Sequence, residues 1–188
     1  MRTSCDAGGA IGAVSIFAYR NPVRQSYPVT QSSPARFSRP LAGFIAAAFV
    51  AGAIGSWATF SSVGSWYPSL QKPTWNPPAW LFGPVWTTLY LLMGIAAWRV
   101  WRTKVPRSRP LVTGYWLQLA LNAVWSILFF GLRRPNWALI DIGLLWTTLT
   151  WLQIGFARTD RTAAVLWLPY WLWVTFASAL NFAIVRLN

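Results

Sequence analysis

The side chains of this chain that could do chemistry are tryptophans and amides rather than acids and bases. There are 15 Trp, no His and no Glu, and the only acids are Asp6, Asp141 and Asp160. A His-based triad is therefore excluded, as is general acid–base work by paired carboxylates. The single Cys5 rules out an intramolecular disulfide or a cysteine cluster, and no metal site is expected without His, Cys or grouped carboxylates. What remains falls on helical stripes. Trp137, Asp141 and Thr148 share one face by their spacing, as do Gln118, Asn122 and Trp125. Tyr170, Trp173, Ala177 and Asn181 share another, and Trp86 lies one turn from Tyr90. Taken singly, each polar group is explained by helix–helix hydrogen bonding and each Trp by an interfacial belt. As a set they describe a mostly apolar pocket with a few polar groups, suited to a large flat ligand. Trp86, Trp125, Trp137 and Trp173 are candidates to stack on a conjugated ring, and Asn122 and Asn181 to orient its carbonyl or carboxylate groups. Asp141, the one acid inside an apolar run, should face the interior and pair with a loop Arg or a Trp indole.

A second constellation is the stretch 66–80, with three Trp, four Pro and Lys72 between two long apolar runs. Proline stiffens such a segment and removes helical hydrogen bonds, and tryptophan favours a boundary between dry and wet. The stretch reads as a rigid aromatic lid.

The elements that must position these groups are membrane spans. The chain is 55% hydrophobic and only 10% charged, where soluble domains have about a quarter charged residues. Five apolar runs, at about 40–60, 79–101, 111–131, 137–157 and 163–185, each have the length a bilayer requires. The expected fold is an all-α membrane protein, a bundle of five transmembrane helices over residues 39–188. Residues 1–38 are basic and rich in Ser and Pro. They read as a disordered extension, or an upstream start, more readily than as a signal or transit peptide, and as dispensable for folding. Of the basic residues, 12 fall on the side of the N-terminus, and only Lys72, Arg133, Arg134 and Arg186 on the other. In a bacterial cell membrane this places the N-terminus in the cytoplasm. The net charge of +13 then belongs with lipid head groups, and no nucleic-acid partner is expected. Small residues Ala48, Gly52, Gly114 and Ala120 would permit close helix approach in a homodimer.

From about Pro40 to Asn188 the chain resembles the translocator protein family, also called tryptophan-rich sensory proteins (TspO/MBR) or peripheral-type benzodiazepine receptors. The resemblance rests on Trp66-Tyr67, Leu70-Gln71-Lys72-Pro73, Trp75, Pro77-Pro78, Trp80 and Gly83-Pro84-Val85-Trp86. It continues through Leu89-Tyr90, Met93-Gly94, Trp98, Gln118-Leu119-Ala120-Leu121-Asn122, Trp125 and Phe129-Phe130-Gly131. It ends with Trp137-Ala138-Leu139, Asp141, Pro169-Tyr170, Trp173 and Leu180-Asn181. It implies a five-helix membrane protein, commonly a homodimer, that binds porphyrins such as protoporphyrin IX and heme, sterols, and synthetic benzodiazepine-type ligands. Trp86, Asn122, Trp137, Trp173 and Ala177 match family pocket positions; Trp75 of the matching loop and Asp141 are further ligand-binding candidates. Trp86 and Trp173 match tryptophans linked in some members to light-dependent porphyrin breakdown, which would make them catalytic. In the sterol motif Leu180 and Arg186 are kept, but Phe182 replaces the Tyr. No cofactor is required, since porphyrin or heme would be the ligand. The readings are a receptor- or transporter-like protein that regulates tetrapyrrole levels, a light-dependent porphyrin-degrading enzyme, or a structural membrane assembly protein.

Overall fold

The computed structural model describes residues 35–188; the expectations for residues 1–34 lie outside the described residues. Five long helices dominate: α1 (Ala35–Val63), α3 (Phe82–Thr103), α4 (Ser108–Ser126), α5 (Pro135–Ala157) and α6 (Arg161–Leu187), with a short α2 (Trp66–Ser69) after α1. Each long helix contains a stretch long and apolar enough to cross a bilayer, and there is no strand among the described residues. Trp57 is 82% and Phe60 88% exposed. Such surface is tolerated when the surrounding solvent is lipid.

α1 packs on α3 and α4, α3 on α6, α6 on α5, and α5 on α4, which closes a ring. The contacts fix directions. Gly52 meets Tyr90 and Gly94 meets Ile45, so α1 and α3 run antiparallel. Gly114 packs on Trp151 and Gly155 on Leu111, so α4 and α5 do too. Helix α5 buries Ala138, Ile142, Leu145, Leu149, Leu152 and Phe156 at alternating steps of four and three, one continuous seam. Gly52, Gly114 and Ala48 are thus consumed by packing inside one bundle, the last fully buried. Of the four small residues suggested for a dimer contact, only Ala120 is exposed.

The ends carry the information. Helix α3 stops at Lys104, whose left-handed backbone (φ 54°) lets its N–H bond to the Trp101 carbonyl at 3.3 Å. Helix α5 starts on Pro135, which lacks the N–H that a first turn leaves unused. Helix α6 is capped by Asp160, which accepts from the Ala163 N–H at 3.0 Å and pairs with Arg99 of α3 at 3.0 Å. This is the one ion pair among the described residues. Burial works to raise the Asp160 pKa, but the Ala163 and Thr162 N–H groups and the Arg99 guanidinium outweigh it and hold it below the usual carboxylate range.

Candidate functional site

A cavity of about 550 Å³ lies between α1, α3, α4 and α6, towards the end of the bundle covered by the 66–80 segment. That volume is in the range of small-molecule sites. The walls are aromatic. Trp86 and Tyr90 of α3 stack with ring centroids 5.4 Å apart and planes 26° from parallel. Trp125 stacks on Phe129 at 5.4 Å and 27°, and Trp173 lies edge-on to Phe82 at 6.0 Å. Polar groups are few: Ser56, Thr59, Thr87, Ser126, Asn181 and the phenols of Tyr67 and Tyr90. No charged side chain is found among the described lining residues.

Local sequence explains how these rings converge. After Ser126 the helix widens into a π-type turn, Ile127–Gly131, closed by Leu132 N–H to the Ile127 carbonyl at 2.7 Å. The extra residue per turn changes the direction of side chains, and both Phe129 and Phe130 reach the cavity. Arg133 then adopts a left-handed backbone (φ 55°), which reverses the chain into α5.

Below the cavity runs a buried polar chain. The Tyr90 hydroxyl donates to Asn122 Oδ1 at 3.4 Å and Asn122 Nδ2 donates to the Tyr170 hydroxyl at 3.2 Å. That hydroxyl donates to Gln118 Oε1 at 3.0 Å. Asn122 therefore orients Tyr90 from behind, and it is not itself among the lining residues. Asn181 both lines the cavity and fixes its wall: its Oδ1 accepts from the Trp125 indole at 3.1 Å, and its Nδ2 donates to the Pro135 carbonyl at 3.0 Å.

The cover is tied down by one cation. The Lys72 ammonium donates to the carbonyls of Tyr67, Pro68 and Leu70 at 2.8, 3.1 and 2.8 Å, and sits 5.0 Å from the Tyr67 ring centre. It thereby satisfies the free carbonyl end of α2. Tyr67 donates to Asn76 Oδ1 at 2.9 Å across the loop. Burial pushes the Tyr67 phenol up, and the Asn76 bond only partly offsets this, so the ring stays neutral. Asn188 clasps the loop to the end of α6, accepting from the Gln71 N–H and donating to the Gln71 carbonyl, both at 3.0 Å.

The cavity brings together Trp86, Tyr90, Trp125, Trp173, Ala177 and Asn181 of the residues proposed from sequence, with Leu180 of the sterol motif. Others stand elsewhere. Trp137 is 61% exposed and faces outward; the buried seam of α5 runs through its neighbour Ala138 and takes in Asp141 of the expected stripe but not Trp137. Asp141 is buried on that seam but off the cavity, and its Oδ2 has no partner, where a loop Arg or an indole was expected. Trp75 is half-exposed and lies edge-on to Phe176 at 5.7 Å; Tyr67 lines the cavity in its place. Phe182, two residues from Leu180 and so on the opposite side of α6, is 54% exposed, and Arg186 is exposed as well. Phe182 and Arg186, one turn apart, thus share the outward face of α6, and Leu180 lies on the cavity side. The wall that sequence reasoning missed is α1. Its Phe49, Gly52, Ser56 and Thr59 recur at steps of three and four, a helical stripe masked by the Ala- and Gly-rich composition around it.

Residues 44–187 match the model of the TspO/MBR family. The chain is 43% identical over 148 residues to the tryptophan-rich protein TspO of Archaeoglobus fulgidus, covering 79% of this chain and 96% of that protein. It is 42% identical over 147 residues to the protein CrtK of Rhodobacter capsulatus, covering 77% and 89% of the two chains. It is 38% identical over 160 residues to the human translocator protein, covering 79% and 90%.

Proposed function

The chain belongs to the TspO/MBR family, and on that premise we propose that it binds a flat, largely apolar tetrapyrrole in this cavity and regulates its level in a membrane. The observation that carries this reading is the lining itself: stacked aromatic rings around about 550 Å³, with hydroxyls and one amide but no charge among the described lining residues. A conjugated macrocycle gains dispersion and stacking from such walls. Its carboxylates find no cation inside, and so must project through the mouth towards water or head groups.

On this reading the lining suits metal-free porphyrin better than heme. Heme iron takes His, Cys, Met or Tyr as axial ligand. The described lining offers only two phenols, of which Tyr90 is engaged with Asn122 and Tyr67 is held neutral. The metal-free macrocycle is therefore the preferred ligand. A sterol at 180–186 would meet only Phe182 and Arg186 on the outward face, with Leu180 turned to the cavity and Phe182 lacking the motif's hydroxyl.

The second reading, light-driven degradation of the bound porphyrin, is favoured by Trp86. It lies in the lining, stacked on Tyr90, whose hydroxyl is fixed by Asn122, so an electron-rich indole is held at a defined place on the cavity wall. An excited macrocycle would take an electron from Trp86 or Trp173, and dissolved dioxygen would be the oxidant that consumes the reduced porphyrin and carries it to ring-opened product. Dark titration with protoporphyrin, followed by illumination, tests both readings. A saturable red shift in the dark is the expected result for binding, and absence of any shift contradicts it. Loss of the porphyrin band in light, abolished in Trp86→Phe with dark binding retained, is the result degradation requires. The proposal places the protein in a bacterial cell membrane with its N-terminus cytoplasmic, on the 12 to 4 basic asymmetry, and as a homodimer with Ala120 on the exposed face of α4.

A further inference from the structure

A second cavity, of about 410 Å³, lies at the opposite end of the bundle, where α3 turns into α4. It is lined by Trp101, Lys104, Ser108, Arg109 and Val112. We infer that it is a binding site for one anionic phospholipid, with the phosphate held between Lys104 and Arg109 and the glycerol and acyl region lying along Trp101 and Val112.

Charge is the first argument. Arg102, Lys104, Arg107 and Arg109 fall within eight residues, and this chain has almost no acid to balance them. Asp160 is committed to Arg99, and Asp141 sits on α5 towards the far end, beside Ala138 and the loop-covered half. The positive charge around Lys104 and Arg109 therefore calls for an anion from outside the described chain. The backbone adds to this. Helix α4 spans 19 residues and begins in this cavity without a capping side chain and without an acid in its first turn. Its Ser108 N–H is spent on the Val105 carbonyl at 2.9 Å and Pro110 has none, so the helix dipole and the Arg109 N–H are what favour a negative group in the same place. The left-handed residue Lys104 sets the turn that brings the two basic positions together.

The second argument is the apolar flank, which selects a lipid over free phosphate. Trp101 is 37% exposed and Trp116, two turns along α4 from Arg109, is 49% exposed. Phe44 lies between them, stacked on Trp116 at 5.9 Å and tilted against Trp101 at 6.1 Å. The cationic cavity thus continues onto a track of two partly exposed indoles, Trp101 and Trp116, backed by the buried Phe44 ring. A phosphate alone would have no use for that track, whereas an amphiphile occupies both parts. This site is separate from the aromatic cavity at the other end and does not rest on the porphyrin reading.

The test is competitive lipid retention by the full chain, read by native mass spectrometry and by thermal shift. Phosphatidylglycerol and phosphatidylcholine with identical acyl chains are the probes. The expected result is one phosphatidylglycerol retained per chain in preference to phosphatidylcholine, with a higher Tm. In Lys104→Gln/Arg109→Gln the preference should fall about thirtyfold, the loss of two cation contacts at a membrane surface. Arg158→Gln/Arg161→Gln removes the same charge from the same face outside the cavity and should leave the preference largely intact. No headgroup preference in the unaltered chain would overturn the inference, a measurement that stands even if a variant fails to fold. Equal loss in both double variants would reduce it to general surface charge. Stabilisation by inorganic phosphate equal to that by the lipid would also refute a lipid site.

Discussion

Gly52 is the position where one methyl group should reshape the site. Its missing side chain lets the Tyr90 ring lie against α1; a Cβ there would come within 2.6 Å of Tyr90 Cζ, against an ordinary contact of 3.4–4 Å. In Gly52→Ala the ring must therefore retreat by roughly 1 Å, a movement of the size that makes small-to-large changes costly in packed interiors. Two interactions depend on where that ring sits: the stack on Trp86 and the 3.4 Å bond to Asn122. Overpacking costs about 1–3 kcal/mol of stability, and loss of the stack about 0.5–1.5 kcal/mol. Only the second acts on the cavity wall, so dark affinity for protoporphyrin should fall about two- to tenfold. Tyr90→Leu alone should weaken binding too, but combining it with Gly52→Ala should restore the lost stability, because the smaller side chain accommodates the methyl. The assay is a double-mutant cycle on Tm and on dark affinity, with the coupling in stability expected to exceed 0.5 kcal/mol. Additive effects, or a Gly52→Ala protein indistinguishable from the unaltered one, would refute the seating of Tyr90 against α1.

Three further outcomes follow from the same geometry. Asp160→Ala removes the cap of α6 and the partner of Arg99, and should cost about 1 kcal/mol at neutral pH. Because the folded carboxyl titrates below its ordinary value, its contribution is present above that ordinary value and lost as pH falls through the folded one; the Tm gap between the two proteins should therefore close below about pH 4. Lys72→Met releases three carbonyls of the cover, and stopped-flow displacement should show faster porphyrin dissociation with little change in Tm. Trp137→Ala, on the outward face of α5, should leave dark affinity unchanged in the same titration that registers Trp86→Phe.

The five spans were legible because length and hydropathy decide them, and a bilayer admits few alternatives to helices. The inward faces were legible only where chemistry marks them. Trp86 with Tyr90, and Trp173 with Ala177 and Asn181, combine aromatic and polar groups on one stripe, and the structure places all five on the cavity. On helix α5 Asp141 was legible as an inward residue, but Trp137 was not: the buried seam beside Asp141 is carried by ordinary Ala, Leu, Ile and Phe, whereas the conspicuous Trp137 faces outward, where a membrane protein can display an aromatic ring. Asn122 was legible as a buried polar group but not as a second-row support, since that depends on Tyr90 and Tyr170 arriving from two other helices. The contribution of α1 depended on Gly52 and on a π-type turn in α4, neither of which alters the hydrophobic pattern.

The most direct test of the porphyrin-binding account fills the cavity. Ala177 lines it from α6, and Ala177→Phe adds a ring to that wall without changing charge. Protoporphyrin is titrated in the dark into the full chain and into this variant, both in lipid nanodiscs, and the absorbance shift is followed to saturation. The account predicts a saturable shift with one porphyrin per chain in the unaltered protein and its loss in a folded Ala177→Phe protein. Identical titrations of the two proteins would contradict it.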